Sequence, residues 1–207
     1  SGKFLGVIPG GTGYKIQELE PLKLPVSERK IILVKGYEHD LGRGLNIVKA
    51  LHSLEKEIKE YQVIVFGSHS KVKDYIKSNQ LNFSFFDRHG LSQSELIELM
   101  GKSLVYIGNS ISDGMPNTLL EAILMGAFPI QSNPGGVTEE VISNNENGLL
   151  IQNPESLEEI KENVLKSISD LNFLERASLK NQKIALDKLE YSQIKLKVIE
   201  IYKTIML

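Results

Sequence analysis

The stretch "LVYIGNSISDGMPNTLLEAILMGAFPIQ" (104–131) holds two apolar, β-rich runs, LVYIG and FPIQ, separated by a polar loop and a helical segment. Strand, helix and strand in that order form the repeating unit of a parallel sheet with crossover helices. Within the helical run TLLEAILM stands Glu121, flanked on both sides by apolar residues. Burying a carboxylate without a partner is costly, so the identity of that partner becomes the central functional question.

The same alternation extends outward in both directions. Further candidate strands are FLGVI (4–8), KIILVKG (30–36), QVIVFG (62–67), FSFF (83–86) and LLI (149–151). Several are apolar at successive positions, as strands covered on both faces should be. Ile47, Val48, Leu51 and Leu54 fall at helical spacing, which predicts a helix starting near Arg43. In SQSELIELM, Ser92 and Glu95 have the spacing of a capping box. Beyond Asn153 the pattern is helical throughout: Ile160, Val164 and Ile168 line one face, and Ile194, Val198, Ile201, Tyr202 and Ile205 another. The segment 18–29 reads as irregular. The expected fold is therefore α/β, a Rossmann-like parallel sheet with helices on both faces and helices over 154–207, in one domain spanning 1–207.

Composition narrows the function. The 207 residues are 41% hydrophobic, enough for a proper core, and 24 Lys plus Arg against 26 Asp plus Glu leave a formal charge of −2. That balance supplies no global field for gripping nucleic acid or an anionic membrane, so any anion site must be local. With no cysteine, thiolate metal sites and cysteine nucleophiles are excluded, in keeping with a cytoplasmic protein. The chain opens "SGKFLGVIPGG" without an initiator Met, which reads as a piece of a longer protein.

In an open parallel sheet, ligands bind beyond the carboxyl ends of the strands, which singles out three loops. In VKGYEHDLGRG (34–44), Gly36 permits a sharp turn, and Arg43 beside Gly44 stands at a helix start where a phosphate could be held. Lys35 is a second cation there. In SISDGMPNTLLEA (110–122), Asp113 precedes a helix opened by Pro116, Asn117 and Thr118, and Glu121 lies just over one turn into it. Both carboxylates can address one pocket and accept from sugar hydroxyls; alternatively, Asp113 caps the helix and Glu121 snorkels to the surface. In SNPGGVTEEV (132–141), Gly135 and Gly136 allow close backbone approach, and Glu139 or Glu140 starts another helix. The histidines show no paired metal-ligand spacing; His39 and His89 lie on loops that can reach a ligand, and His52 and His69 read as packing residues.

Taken together, DGMPNTLLEA, then GAFPI, then PGGVTEE resembles the ordered motif set of the C-terminal, donor-binding domain of the GT-B retaining glycosyltransferases. The resemblance is to family 4, the group that includes sucrose synthases and bacterial mannosyl- and N-acetylglucosaminyltransferases, and it covers nearly the whole chain. It implies that Glu121 is the second Glu of the Glu-x7-Glu motif, on the ribose hydroxyls, and Asp113 the first, on the donor sugar; these are the two candidate catalytic residues. It implies donor binding by Gly36, Tyr37, Arg43, His89, Gly114, Met115, Pro116, Asn117, Thr118 and Glu121, with the base near Arg88 to Leu91. Two departures stand out: Tyr37 replaces the family's Arg after the glycine, and Asp113 is one methylene shorter than the usual Glu. The implied reaction is retaining, metal-independent transfer from a nucleotide-diphosphate sugar, a UDP-sugar being favoured over a GDP-sugar, with no cofactor. The implied setting is bacterial surface polysaccharide or lipopolysaccharide assembly. The partner would be an N-terminal acceptor domain of the same polypeptide, absent here, without which this chain should be inactive and through which any peripheral membrane contact would be made. Alternatives are a non-catalytic nucleotide-sugar-binding module and a GT-B nucleotide-sugar epimerase.

Overall fold

β1 (Ile31–Lys35) carries three successive residues, Ile32, Leu33 and Val34, with no exposed surface. Side chains alternate across a strand, so burial at consecutive positions requires cover on both faces. The computed structural model, which describes Gly11 and residues 13–205, shows that cover. β1 lies inside a six-stranded sheet with β2 (Gln62–Phe66), β3 (Ser84–Phe85), β4 (Ser103–Gly108), β5 (Phe128–Ser132) and β6 (Leu149–Ile151). The order is β3-β2-β1-β4-β5-β6 and every pairing is parallel. These are the strands expected from the apolar runs, with β3 cut to two residues. The run expected at 4–8 lies outside the described residues.

A short α1 (Ile16–Leu19) leads into the domain. On one face of the sheet, α2 (Gly44–His52) and α3 (Ser70–Ser78) pack Ile47, Val48, Val72 and Ile76 against Ile32 and Val34. On the other, α4 (Gln93–Lys102) and α5 (Asn117–Met125) set Ile97, Met100 and Leu120 against Leu33 and Tyr106. The expected capping box forms at the start of α4: the Ser92 N–H donates to Glu95 Oε2 at 2.8 Å and the Glu95 N–H to Ser92 Oγ at 3.3 Å. α5 stops at Gly126, whose φ of 76° is a left-handed cap that glycine adopts without strain.

The C-terminal stretch is helical as expected. α6 (Leu157–Ser169) buries Ile160 and Val164 beside α2, and α7 (Leu171–Leu189) sends Leu174 to one face of the sheet and Leu189 to the other. α8 (Tyr191–Ile205) forms where the apolar face was read, but little of that face is covered. Ile194 is buried, Val198 and Ile201 are half-buried, and Tyr202 is 62% exposed; the side chain of Ile205 lies outside the described residues. The helix touches the domain mainly at its start.

The segment 18–29 is made of short 3-10 turns at Glu20–Leu22 and Val26–Glu28. A buried cation anchors it. Arg29 is 4% exposed and donates from Nε to Leu24 O at 2.8 Å and from Nη1 to Ser103 O and Met125 O, both at 3.2 Å. Burial lowers its pKa to about 10, still charged at neutral pH, and Met125 O belongs to the negative end of α5. Arg29→Met should strip three carbonyls of their donor and cost on the order of 3 kcal/mol in urea denaturation, because hydrogen bonds to charged groups are the strong ones. A loss below about 1 kcal/mol would mean that water takes over those carbonyls.

Candidate functional site

After β1 the chain crosses to β2 on one side, and after β4 it crosses to β5 on the other, so the loops leaving β1 and β4 diverge and leave a crevice between them. The two loops are stitched together at its edge. The Arg43 N–H donates to Asn109 O at 3.0 Å and the Ile111 N–H to Leu41 O at 2.8 Å. The first loop must fold back tightly on itself: a Cβ at Gly42 would stand 2.4 Å from Tyr37 O, and one at Gly44 would stand 2.8 Å from the Gly36 carbonyl carbon.

Two cavities open here, and Lys35 and Tyr37 line both. The smaller, of about 170 Å³, is walled by His39 and Gly42 from the first loop and by Asn109, Asp113 and Gln131 from the ends of β4 and β5. The larger, of about 300 Å³, lies between Phe66 and Gly67 at the end of β2 and the segment carrying Arg88, Leu91 and Gln93. The Lys35 ammonium stands 3.7 Å from Asp113 Oδ2, both side chains partly exposed, and 5.8 Å from the centre of the Tyr37 ring.

Glu121 does not snorkel: it is 4% exposed. Its Oε1 accepts from the Tyr14 hydroxyl at 2.8 Å and from Gln93 Nε2 at 2.5 Å. Burial raises its pKa above the usual carboxylate range, and the two hydrogen bonds pull against that rise. Burial and the neighbouring Glu121 charge push the Tyr14 hydroxyl well above its ordinary value, so it remains a donor. Oε2 has no partner among the described residues. Since Gln93 also lines the larger cavity, Glu121 sits one hydrogen bond behind that cavity's wall.

Asp113 does not cap α5; Pro116 holds that position and no side chain bonds the first turn, so the leading N–H groups of the helix stay open. Gly114 and Asn117 are exposed, Met115 is half-buried against the apolar cluster, Pro116 is buried, and Thr118 Oγ1 bonds the Tyr106 hydroxyl at 2.9 Å. Tyr37 lines both cavities, whereas Gly36 is buried just before it and lines neither. Arg43 turns away from it: Nε pairs with Glu155, and Nη1 donates to the carbonyls of His39, Asp40 and Gly42. His89 is exposed and lines neither cavity. Glu139 and Glu140 end a 3-10 stretch, Pro134–Glu140, where a new helix was expected, because Gly135 and Gly136 take φ of 72° and 81°. Tyr14, Gln93, Asn109 and Gln131 were not singled out by sequence reasoning, although Gln131 in the otherwise apolar FPIQ was a visible signal. Among the described residues no cluster of His, Asp and Glu could hold a metal ion.

Residues 17–184 match the family described as Glycosyl transferases group 1. The chain belongs to that family. This group 1 domain has the fold seen in GT-B glycosyltransferases. A glycosyltransferase from Rickettsia africae is 23% identical to it, with a TM-score of 0.72 over 94% of this chain and 56% of that one. The pneumococcal O-GlcNAc transferase GtfA, in complex with UDP and GlcNAc, is 22% identical, with a TM-score of 0.69 over 89% of this chain and 38% of that one. Anabaena HepE, in complex with UDP and glucose, is 17% identical, with a TM-score of 0.68 over 91% of this chain and 52% of that one. The group 1 domain thus spans from 38% to 56% of the length of these proteins. No curated protein matches it.

The Tyr14–Glu121 bond gives the group 1 domain a pH signature. The hydroxyl stabilises the ionised carboxylate far more than the neutral acid. Because the folded pKa of Glu121 is raised, its stability contribution is complete below the unfolded value and is lost as pH rises through the folded one. Tyr14→Phe raises the folded pKa further, so its cost should be larger at pH 7, where the charge loses a donor, than at pH 4. Equal costs in urea denaturation at the two pH values would show that Glu121 does not titrate against Tyr14.

Proposed function

We propose that this chain is the C-terminal, donor-binding half of a retaining, metal-independent glycosyltransferase of family 4 that uses a UDP-sugar. The observation that carries the reading is the pair of cavities sharing Lys35 and Tyr37, one beside Asp113 and the other backed through Gln93 by Glu121. A nucleotide-sugar fits that layout end to end. The nucleoside takes the larger cavity, with its ribose hydroxyls donating to Glu121. The diphosphate lies at Lys35 and the uncapped N-terminus of α5, where a cation and open N–H groups stabilise the charge that develops as it leaves. The sugar lies beside Asp113.

In the transfer, the bond between the anomeric carbon and the diphosphate oxygen breaks. The acceptor oxygen bonds the same face of that carbon, its proton passes to the departing phosphate, and nucleoside diphosphate is released. Acceptor binding falls to an N-terminal domain of the same polypeptide, and sugar transfer requires both halves. The setting is cytoplasmic assembly of a bacterial surface polysaccharide or lipopolysaccharide, with any membrane contact made through the other half. Among the described residues no helix is long and apolar enough to cross a membrane.

A second reading, nucleotide-sugar binding without transfer, draws on the cations. Tyr37 stands where the family has an Arg, and Arg43 is engaged by Glu155.

Thermal unfolding with UDP, GDP, ADP and CMP tests the donor reading. A ligand at ~100 times its dissociation constant adds about 2.7 kcal/mol, and each kcal/mol is worth roughly 2–4 °C in a domain of this size. UDP should raise the midpoint of the wild type, and Glu121→Ala and Lys35→Met should each lose most of that rise. No shift with any nucleotide would sink the donor reading. A UDP shift indifferent to Glu121→Ala would favour the binding module.

A further inference from the structure

The smaller cavity holds polar groups for which the donor reading has so far found no use. Three atoms on residues in its wall are closed off from solvent and have no hydrogen-bond partner among the described residues: His39 Nε2, Asn109 Oδ1 and Gln131 Oε1. Asn109 is 5% and Gln131 2% exposed. Buried polar atoms without partners are rare in folded proteins, and three around one cavity call for an occupant.

The polarity of each group follows from what its other end does. Asn109 Nδ2 donates to Pro154 O at 2.8 Å, a partner that can only accept, so its oxygen is the free, accepting atom; Gln131 Nε2 stands 3.4 Å from Ser132 Oγ, which leaves Oε1 as the end without a partner. His39 Nδ1 accepts from the Leu41 N–H at 3.2 Å, which leaves the proton of the neutral ring on Nε2 as a donor. The Gln131 carboxamide packs against Gly108: a Cβ there would stand 2.2 Å from Gln131 Oε1 and would displace the amide.

Two neutral acceptors and one neutral donor, with the Asp113 carboxylate on the same wall, do not suit a phosphate, which has no protons to offer the carboxamide oxygens. They suit hydroxyls, each of which donates and accepts. A single trapped water fills far too little of the space, since it needs only ~10–15 Å³, whereas the cavity measures about 170 Å³. The cavity also shares Lys35 with the place assigned to the diphosphate, so the group attached to the far phosphate falls into it. We propose that His39, Asn109 and Gln131 read the hydroxyls of the transferred sugar and set which sugar the protein takes. This inference rests on the donor reading above and adds three specificity-determining residues to it.

Titration calorimetry on the wild type, Gln131→Met and His39→Phe tests it, with UDP, UDP-glucose, UDP-N-acetylglucosamine, GDP and GDP-mannose as probes. Gln131→Met keeps close to the volume of the side chain and His39→Phe keeps a flat, somewhat larger ring; both remove the polar atoms. The readout is the ratio of the dissociation constant of the bare nucleoside diphosphate to that of its sugar conjugate. One sugar nucleotide should bind the wild type more tightly than its diphosphate, and each variant should lower that ratio roughly two- to tenfold, the worth of one hydrogen bond. Gln131→Met should meanwhile unfold at a urea concentration no lower than the wild type, because it removes an unpaired buried amide. The inference is overturned if the wild type binds a diphosphate but gains nothing from any sugar, or if both folded variants keep the wild-type ratio. If neither UDP nor GDP binds at all, the donor reading fails and takes this subsite with it.

Discussion

The reversal of strand order between β1 and β4 is the constraint on which the rest of the site depends. Among the described strands, only at that point do two adjacent parallel strands send their chains in opposite directions, and the loops so parted cannot fill the space between them. Lys35, Asn109 and Gln131 all follow from this, because each stands at or just past the carboxyl end of a central strand. The sheet must be rigid for such a crevice to keep its shape. It is, because Leu33, Val34, Val105 and Ile107 are completely buried between two layers of helix.

Much of the fold was legible in the sequence because the buried strands carry consecutive apolar residues and the helices carry period-3.6 stripes. What local pattern conveys poorly is the presence or absence of a surface to pack on. α8 has a good apolar stripe, yet beyond Ile194 it finds little of the domain to cover, and Tyr202 faces out. The glutamates after Pro-Gly-Gly look like the start of a helix; two successive left-handed glycines kink the chain there, and only a short 3-10 turn ending at Glu140 follows them. Neither result contradicts the pattern rules. In both places tertiary geometry decided between conformations that the local sequence allows.

The candidate site divides along the same line. The loops were legible because glycine and proline punctuate them and because they follow strands. The partners were not, since they come from far along the chain. Tyr14 bonds Glu121 across 107 residues, and Arg43 pairs with Glu155 across 112. Spacing arguments work within a helix turn or a hairpin and say nothing at such separations. Glu121 was correctly suspected of needing a partner, and part of that need is met inside the protein by Tyr14 and Gln93. One carboxylate oxygen is thereby fixed and the other left over, which orients the group rather than silencing it.

The same accounting explains why the cation at the crevice is Lys35 and not Arg43. The Arg43–Glu155 pair alone would be weak, for Glu155 is 57% exposed and surface pairs of that kind are worth about 0–1 kcal/mol. A diphosphate could compete with it. The three carbonyls of His39, Asp40 and Gly42 are a different matter, because they belong to the loop that walls the smaller cavity. Pulling the guanidinium into the crevice would release that wall and with it the imidazole of His39. Arg43 therefore serves the site from behind, as the bracket of the loop, and the shorter reach of Lys35 from the strand end leaves the loop undisturbed. A Tyr at position 37 fits this arrangement. Its ring packs edge-on against His39 and His69, with ring centroids 4.1 Å and 4.6 Å apart, and so braces the same loop from inside.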